Sequence, residues 1–401
     1  MIRQAALYLA TADDVHAAQL PVVGRPVAFR AILAAVRAGA RRVAVPAALR
    51  SRELHAALAT SPSARAAVAW CDAAGALAPG PALLLPAAAL TPAPALSRLL
   101  QAPAGRVLAE SQATDTPALT VDGASLAPMH AALMAGNPVG DVLARQLAAP
   151  DVIAVEGDRW FVRVRDAGAA ARAEARLWGE LGSPIDTRLD IALHRRLSNW
   201  VTRAAVALGI APNWITVAGG MVGLGAAATV ARGDLAALAG GCLLYLVAVV
   251  LDHSDGEVAR LTLRESAMGE WLDIVLDTIV HASLVLALGL AAASVTGGGL
   301  GASVAAAAGV VGSAVVGKRW PPAPLAATDR GLLDALSSRD GFYAMLVLFL
   351  VLRIVAPALL PALMIVVAAG THGYWVARVA LLVRRGRRTG GASAAHRRRR
   401  A

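Results

Sequence analysis

The chain predicts an α-helical integral membrane bundle of six transmembrane helices, preceded by a cytosolic α/β domain. Three observations carry this. Of its 401 residues, 57% are hydrophobic and only 16% charged, too apolar for a soluble globular protein. The apolarity is uneven: long apolar runs begin only after Asn213, whereas the preceding half mixes Arg, Asp and Pro with Ala and Leu, so the halves belong to different classes. The early half also alternates short apolar strands with a helical stretch, the pattern of an α/β sheet domain. Its opening, "MIRQAALYLATADD", has a short apolar core followed at once by acids, unlike a secretory signal, so this domain is expected in the cytosol.

Element by element, "AALYL" reads as a first strand. Ala28 to Ala38 is an amphipathic helix stopped by Gly39, and "RRVAVPA" is a second strand, which together make a β-α-β unit. "ALLLPAAAL" and "VIAVEGDRWFVRVRD" add strands, the latter with Gly157-Asp158 as a hairpin turn. Ala169 to Leu181 is a helix connecting the halves. The expected divisions are an α/β domain over 1–165, a linker and interfacial helix over 166–212, a membrane domain over 213–385, and a basic cytosolic tail over 386–401. Within the linker, Leu189, Leu193, Leu197, Trp200 and Val201 recur at helical spacing while Arg188, Arg195, Arg196 and Arg203 occupy other faces. Such a basic amphipathic helix lies well in a membrane interface.

Six apolar runs follow, at 214–231, 235–252, 269–296, 300–317, 341–357 and 359–384, each read as a span. Asn213, after Pro212, is the expected N-cap of the first. Arg260, Arg264, Lys318, Arg319, Arg330, Arg339 and the Arg-rich tail fall on one side of the spans, which makes that side cytosolic and the cell inner membrane the expected location. The net charge of +11 then reads as anchoring on anionic lipids. With aromatics at 4% and no interleaved basic and aromatic stripe, no nucleic acid is expected as a partner. Cys71 and Cys242 lie in different halves and read as two buried thiols.

The stretch "LDHSDGEVARLTLRESAMGEWLDIVLDTIVH" puts Asp252, Asp255, Asp273 and Asp277 at the ends of two spans. Asp252 and Asp255 share one helix face; Gly269, Asp273 and Asp277 share another. Four bare carboxylates at membrane depth must be paired or bind cations, and Arg260 and Arg264 are too few to neutralise them. Two hard divalent ions, Mg²⁺ or Mn²⁺, fit such oxygen ligands, and a two-metal site suits phosphoryl chemistry.

The spacing D-x2-D-G-x2-A-R-x8-G-x3-D-x3-D is filled at every fixed position. It resembles the signature of the CDP-alcohol phosphatidyltransferase family, and "APNWIT", with Pro212, Asn213 and Thr216, resembles that family's entry to its first span. The resemblance covers residues from about 184 to 385. It implies that Asp252, Asp255 and Asp273 bind the metals, and that Asp277 deprotonates the acceptor and can also touch metal. It implies further that Gly256 and Ala259 leave room for the CDP moiety, that Arg260 reaches the diphosphate, and that Gly269 allows close approach of the nucleotide. The implied reaction is attack of an acceptor alcohol on the β-phosphorus of a CDP-alcohol donor, releasing CMP, in phospholipid or polyol-phosphodiester synthesis. The resemblance also leaves room for a homodimer.

Secondary candidates surround this set. His281, one turn beyond Asp277, could orient the acceptor; an interhelical hydrogen bond is the plainer account. His253 is expected to face away. Arg339 could bind an anionic acceptor or snorkel to lipid phosphate. Arg188 and Arg195 could hold headgroups or an acceptor phosphate, and His372 and Tyr374 have no evident partner. "LPVVGRPVAFRAILAAVRAGARRVAVPA" resembles the start of nucleotidyltransferase-like domains. "LATADDVHAAQ", however, replaces that family's Gly-rich phosphate loop and contains no Gly, Arg or Lys, so the domain reads as degenerate. Fusion of such a domain to this membrane module, within the family resembled, points to a polyol phosphate as acceptor. The alternatives are a bifunctional cytidylyltransferase plus phosphotransferase and a non-catalytic membrane scaffold.

Overall fold

The computed structural model describes residues 2–73, 75–110, 113–141, 143, 151–153, 160–181, 194–320 and 339–398. The chain falls into two compact units, residues 1–181 with 261–264, and residues 182–260 with 265–401.

In the first unit, a seven-stranded sheet has the order β10-β8-β9-β6-β1-β4-β5. The strands are β1 Gln4–Tyr8, β4 Arg42–Val45, β5 Val68–Trp70, β6 Ala82–Pro86, β8 Arg106–Glu110, β9 Ala113–Val121 and β10 Asp151–Ile153. β6, β1, β4 and β5 run parallel, as expected when helices connect consecutive strands. The expected helix is α2, Val27–Ala38, ended by Gly39 in the left-handed conformation. It follows α1, Asp14–Gln19. Two-residue strands make two side pairs: β2 Pro21–Val22 with β3 Arg25–Pro26, and β7 Ala89–Leu90 with β11 Val162–Arg163.

Two readings change. The described flanks of the hairpin expected at Gly157-Asp158 pair with other strands, β10 with β8 and β11 with β7; the turn itself lies outside the described residues. The helix expected as a connector is α7, Ala167–Gly179, the last in this unit after α3 Arg52–Ala59, α4 Pro62–Ala67, α5 Ala93–Gln101 and α6 Gly123–Ala135. It packs within the first unit. Ala169, Ala170 and Ala173 are buried, Glu174 accepts from the Val23 amide at 2.9 Å, and Glu180 accepts from the Trp160 indole at 2.6 Å. Cys71 is a buried free thiol, pushed up to about 11 by burial and then by the neighbouring Asp72, which makes it unreactive. Cys242 is free and only half-buried.

β1 is flanked by β6 on one side and β4 on the other, so the carboxyl ends of β1 and β6 form the switch point where open α/β sheets take ligands. Here that place is filled from within. Asp14 Oδ2 accepts from the amides of Ala10 at 2.6 Å and Thr11 at 3.3 Å. Its Oδ1 pairs with Arg163 at 2.8 Å, and both side chains are 4% exposed. The Val139 amide donates to Leu9 O at 2.9 Å across the same loop, and Gly140 sits so close that a Cβ would lie 2.8 Å from Ala10 O.

The second unit is helical: α8 Arg195–Ala207, α9 Pro212–Val230, α10 Leu235–Thr262, α11 Ala267–Thr296, α12 Leu300–Arg319, α13 Arg339–Val355 and α14 Leu360–Arg398. Among the described residues, five helices are long and apolar enough to cross a membrane, namely Pro212–Val230, Leu235–Thr262, Ala267–Thr296, Leu300–Arg319 and Pro357–Arg384. The fifth apolar run, expected to span over 341–357, yields the shorter helix Gly341–Val355. Pro357 and a one-turn 3₁₀ segment follow it. The chain is an integral membrane protein. α14 continues without a break through the expected tail to Arg398.

Asn213 is not the N-cap of α9. Ala211 holds that place and Pro212 is the first helical residue, where its fixed φ and missing N–H cost nothing. α8 buries Ser198, Thr202 and Ala205 and leaves Leu197 40% and Trp200 80% exposed. The apolar edge thus points outward, which suits a lipid interface better than packing would.

Candidate active site

α9, α10 and α11 enclose a pocket of about 370 Å³ lined by Thr216, Gly219, Gly220, Tyr245, Ala248, Val249, Asp252, Asp255, Asp273, Leu276, Asp277 and Val280. The sequence of α9 makes this approach close. Its buried stripe is Ile215, Thr216, Gly219, Gly220, Gly223, Ala226, Ala227 and Val230. At Gly223 a Cβ would stand 2.6 Å from Val280 Cγ1 of α11, so any larger residue would drive the helices apart. That stripe was legible in "AGGMVGLGAAA" but carried no weight beside the aspartates.

α10 does not stop at Asp252 but continues to Thr262, so both aspartates of the first pair hang from one continuous helix. α11 is capped by Ser266, whose Oγ accepts from the Gly269 amide at 3.0 Å, and its first turns deliver Asp273 and Asp277. All four aspartates line the one pocket. Asp273 lies within electrostatic reach of Asp252, Asp255 and Asp277 and within hydrogen-bonding reach of Asp252. Asp255 is 7% exposed, whereas the Asp277 side chain is 44% exposed. Among the described residues that line the pocket there is no Lys, Arg or His.

This donor set fits a hard divalent cation: oxygen ligands only, all anionic, from two facing helices. Among the described residues no three His, Cys, Asp or Glu side chains already converge closely enough to hold an ion, so ligation would need the carboxylates to turn inward about their side-chain torsions.

The other expected residues, Thr216 apart, sit around the pocket rather than in its lining. Thr216 lines it, its hydroxyl bonded to Pro212 O at 3.2 Å. Gly269 lies against Asn213, whose Oδ1 would be 3.0 Å from an added Cβ. Gly256 faces Arg260, whose Nη1 would be 3.2 Å from such a Cβ; Ala259 is half-buried and Arg260 exposed. His281 bonds Tyr245 at 2.9 Å, the interhelical bond expected of it. His253 faces away from the pocket, held by Val249 O at 2.9 Å and ringed by His194 at 5.6 Å. Arg188 and the side chain of Arg339 lie outside the described residues. His372 and Tyr374 do have partners: Ala305 O at 2.9 Å and Trp375 at 3.1 Å for His372, Arg378 at 2.8 Å for Tyr374.

Sequence reasoning missed Glu257. It is 1% exposed and accepts from Arg195 at 2.5 Å, Ser198 at 2.9 Å and Thr202 at 2.6 Å. Those three residues share one face of α8 at helical spacing, so Glu257 ties that helix to α10 a few residues from Asp255. Arg195 thereby gives one of its N–H groups to a protein carboxylate. The polar face of α8 was visible in sequence; its partner was not.

Comparison with known proteins gives the same segment. Residues 209–320 match the family model described as CDP-alcohol phosphatidyltransferase, a span that contains all four aspartates, so the chain carries a domain of this family. A curated relative, the "Bifunctional IPC transferase and DIPP synthase" of Thermococcus kodakarensis, is 35% identical over 99 residues, 25% of this chain and 22% of the relative. The chain thus matches under a quarter of that relative's own length.

Proposed function

We propose that this chain, which carries a CDP-alcohol phosphatidyltransferase domain, transfers the phosphoalcohol group of a CDP-alcohol to an acceptor hydroxyl and releases CMP. The observation that supports this most is the convergence of Asp252, Asp255, Asp273 and Asp277 on one pocket between three apolar helices. Those four residues would hold divalent ions, Mg²⁺ or Mn²⁺, which when bound neutralise the donor diphosphate and stabilise the attacking and leaving oxygens. Arg260 reaches the diphosphate, with Gly256 and Ala259 leaving it room. Asp277, whose side chain is 44% exposed, takes the proton of the acceptor hydroxyl. As that proton leaves, the acceptor oxygen forms a bond to the β-phosphorus and the bond from that phosphorus to the CMP oxygen breaks. CMP departs with the electron pair.

In this reading α13 joins the five longer helices as a sixth span. The pocket opens to the cytosolic side of the inner membrane, and α8 rests on anionic headgroups through Arg196 and Arg203. The acceptor is a polyol phosphate, an assignment supported by the α/β domain that precedes the membrane module in this chain. The first unit is a nucleotidyltransferase-like domain that has lost cytidylyl transfer. The supporting observation is the carboxylate of Asp14, which takes the amides of Ala10 and Thr11 where a nucleotide phosphate would need them. This favours a single transferase over a bifunctional enzyme.

The test is CMP release by the purified full chain in Mg²⁺ or Mn²⁺. Donors are CDP-diacylglycerol and CDP-inositol; acceptors are glycerol 3-phosphate and inositol 1-phosphate. Turnover of at least one pair is expected. Folded protein that releases CMP from none of them would overturn the proposal.

A further inference from the structure

His281 sits one turn beyond Asp277 on α11 and touches it twice. Its Nδ1 lies 2.8 Å from the Asp277 main-chain oxygen and 3.4 Å from the carboxylate Oδ1. A carbonyl oxygen can only accept, so Nδ1 carries the hydrogen and donates it to the main-chain oxygen, while the carboxylate Oδ1 stands against the same ring edge. In the neutral ring the other nitrogen is then an acceptor. That nitrogen, Nε2, lies 2.9 Å from the hydroxyl of Tyr245 on α10, so Tyr245 donates. Tyr245 is 1% exposed and lines the pocket. Phe342 of α13 stands edge-on to the imidazole at 4.6 Å and lies 5.7 Å from the Tyr245 ring. Tyr343 lies 5.3 Å from Tyr245. The imidazole is therefore held from three helices: by bonds at both nitrogens and by an aromatic edge.

We propose that His281 is a positioning residue that aims the Asp277 carboxylate into the pocket, and that Tyr245 fixes the ring that does so. The bond chain runs in one direction, from Tyr245 O–H to Nε2 and from Nδ1–H to the Asp277 main-chain oxygen, and so holds the ring edge against the Asp277 carboxylate. This rests on the reading of Asp277 as base, and no metal ligand other than Asp277 is in the chain.

Two amide substitutions separate the two ends of the imidazole. In His281→Asn the amide nitrogen falls near Nδ1 and keeps a donor for Asp277. In His281→Gln it falls near Nε2, keeps Tyr245 and loses Asp277. With the full chain, and whichever named donor and acceptor pair gives wild-type turnover, His281→Gln should lose about 10–100-fold in kcat, the usual range for a residue that orients a reacting group. Its donor KM should stay unchanged. His281→Asn should retain most of the rate, and Tyr245→Phe should fall between them. Calorimetric Mn²⁺ affinity should be the same in all three. Equal kcat in the Asn and Gln variants, whether both are high or both low, would overturn the proposal, as would a loss of Mn²⁺ affinity in His281→Gln alone. Asp277→Asn run alongside reads the base assignment separately. If it keeps kcat the base is elsewhere, whereas if it loses kcat while the His281 pair does not differ, only the positioning role fails.

Discussion

Each unit places carboxylates where its fold would take a ligand, and the two differ in how that charge is answered. In the sheet unit, Asp14 at the β1–β6 switch point is neutralised in-house by Arg163 and two backbone amides, with both side chains 4% exposed. In the helical unit, four aspartates line a pocket that has no basic side chain among its described lining residues. A buried charge paired with an opposite charge marks a closed place; a cluster of like charges with no basic side chain in its described lining marks an open one. The difference lies in the local charge balance, since both units keep the backbone geometry of their fold.

The comparison breaks most directly at the aspartates. Chelation by EDTA should abolish CMP release, and Asp255→Asn should bring it to background while weakening Mn²⁺ binding measured by calorimetry. Full turnover in excess EDTA would mean that the pocket, like the crevice, balances its own charge.

Next in size is the division of labour within the pocket. Asp277→Asn keeps the volume but cannot take a proton at neutral pH, so kcat should fall by about 10²–10⁴-fold with donor binding near normal. Asp273→Asn should lose donor binding as well, because in the proposed reaction the diphosphate would be held through metal. Equal loss of donor affinity in both would make Asp277 chiefly a ligand.

Much of this was legible in the sequence, for reasons particular to each part. The aspartate spacing is local, since both pairs lie on single helices and i,i+3 or i,i+4 geometry needs no knowledge of the fold. The α2 helix and its Gly39 stop are local in the same way. What could not be read depends on partners far along the chain. Asp14 looked like one of two loop acids until Arg163 arrived from 149 residues away. Glu257 looked like filler between motif positions, though it anchors three α8 side chains 55 to 62 residues distant. The described flanks of the Gly157-Asp158 turn pair with other strands, because turn chemistry states that a chain can reverse, not which strand it then meets. Asn213 lost the cap to Ala211 because Pro212 is itself a better first helical residue.

The closed crevice can be opened by removing one side of its pair. Asp14→Ala leaves Arg163 buried without its carboxylate and should destabilise the sheet unit by about 3–5 kcal/mol. The double change Asp14→Ala with Arg163→Met removes both charges and should recover most of that, read by urea unfolding of the full chain. Equal destabilisation by the single and double changes would show that Asp14 acts through its loop amides alone. The unaltered chain should bind no CTP in filter assays.

The smallest expected effect tests whether the two units differ anywhere else. Ser51 and Ser266 are matched helix caps, one in each unit. Both have extended backbone, and each hydroxyl accepts from the amide three residues on, at 3.1 Å for Leu54 and 3.0 Å for Gly269. Losing such a bond costs about 1 kcal/mol, so Ser51→Ala and Ser266→Ala should lower the stability of their units by similar amounts. Their consequences for function should not be similar. α11 starts at Ala267 and presents Asp273 and Asp277 within its first three turns, so fraying at its start loosens the ligands. α3 carries no residue of the pocket. Ser266→Ala should therefore raise donor KM severalfold while Ser51→Ala leaves CMP release unchanged. Ser266→Asp keeps an acceptor at the cap and favours the helix dipole, so it should restore the wild-type KM. If Ser266→Ala loses stability but not donor affinity, the pocket is held by the packing of α9 against α11 at Gly223 and Val280, and the cap serves the helix alone.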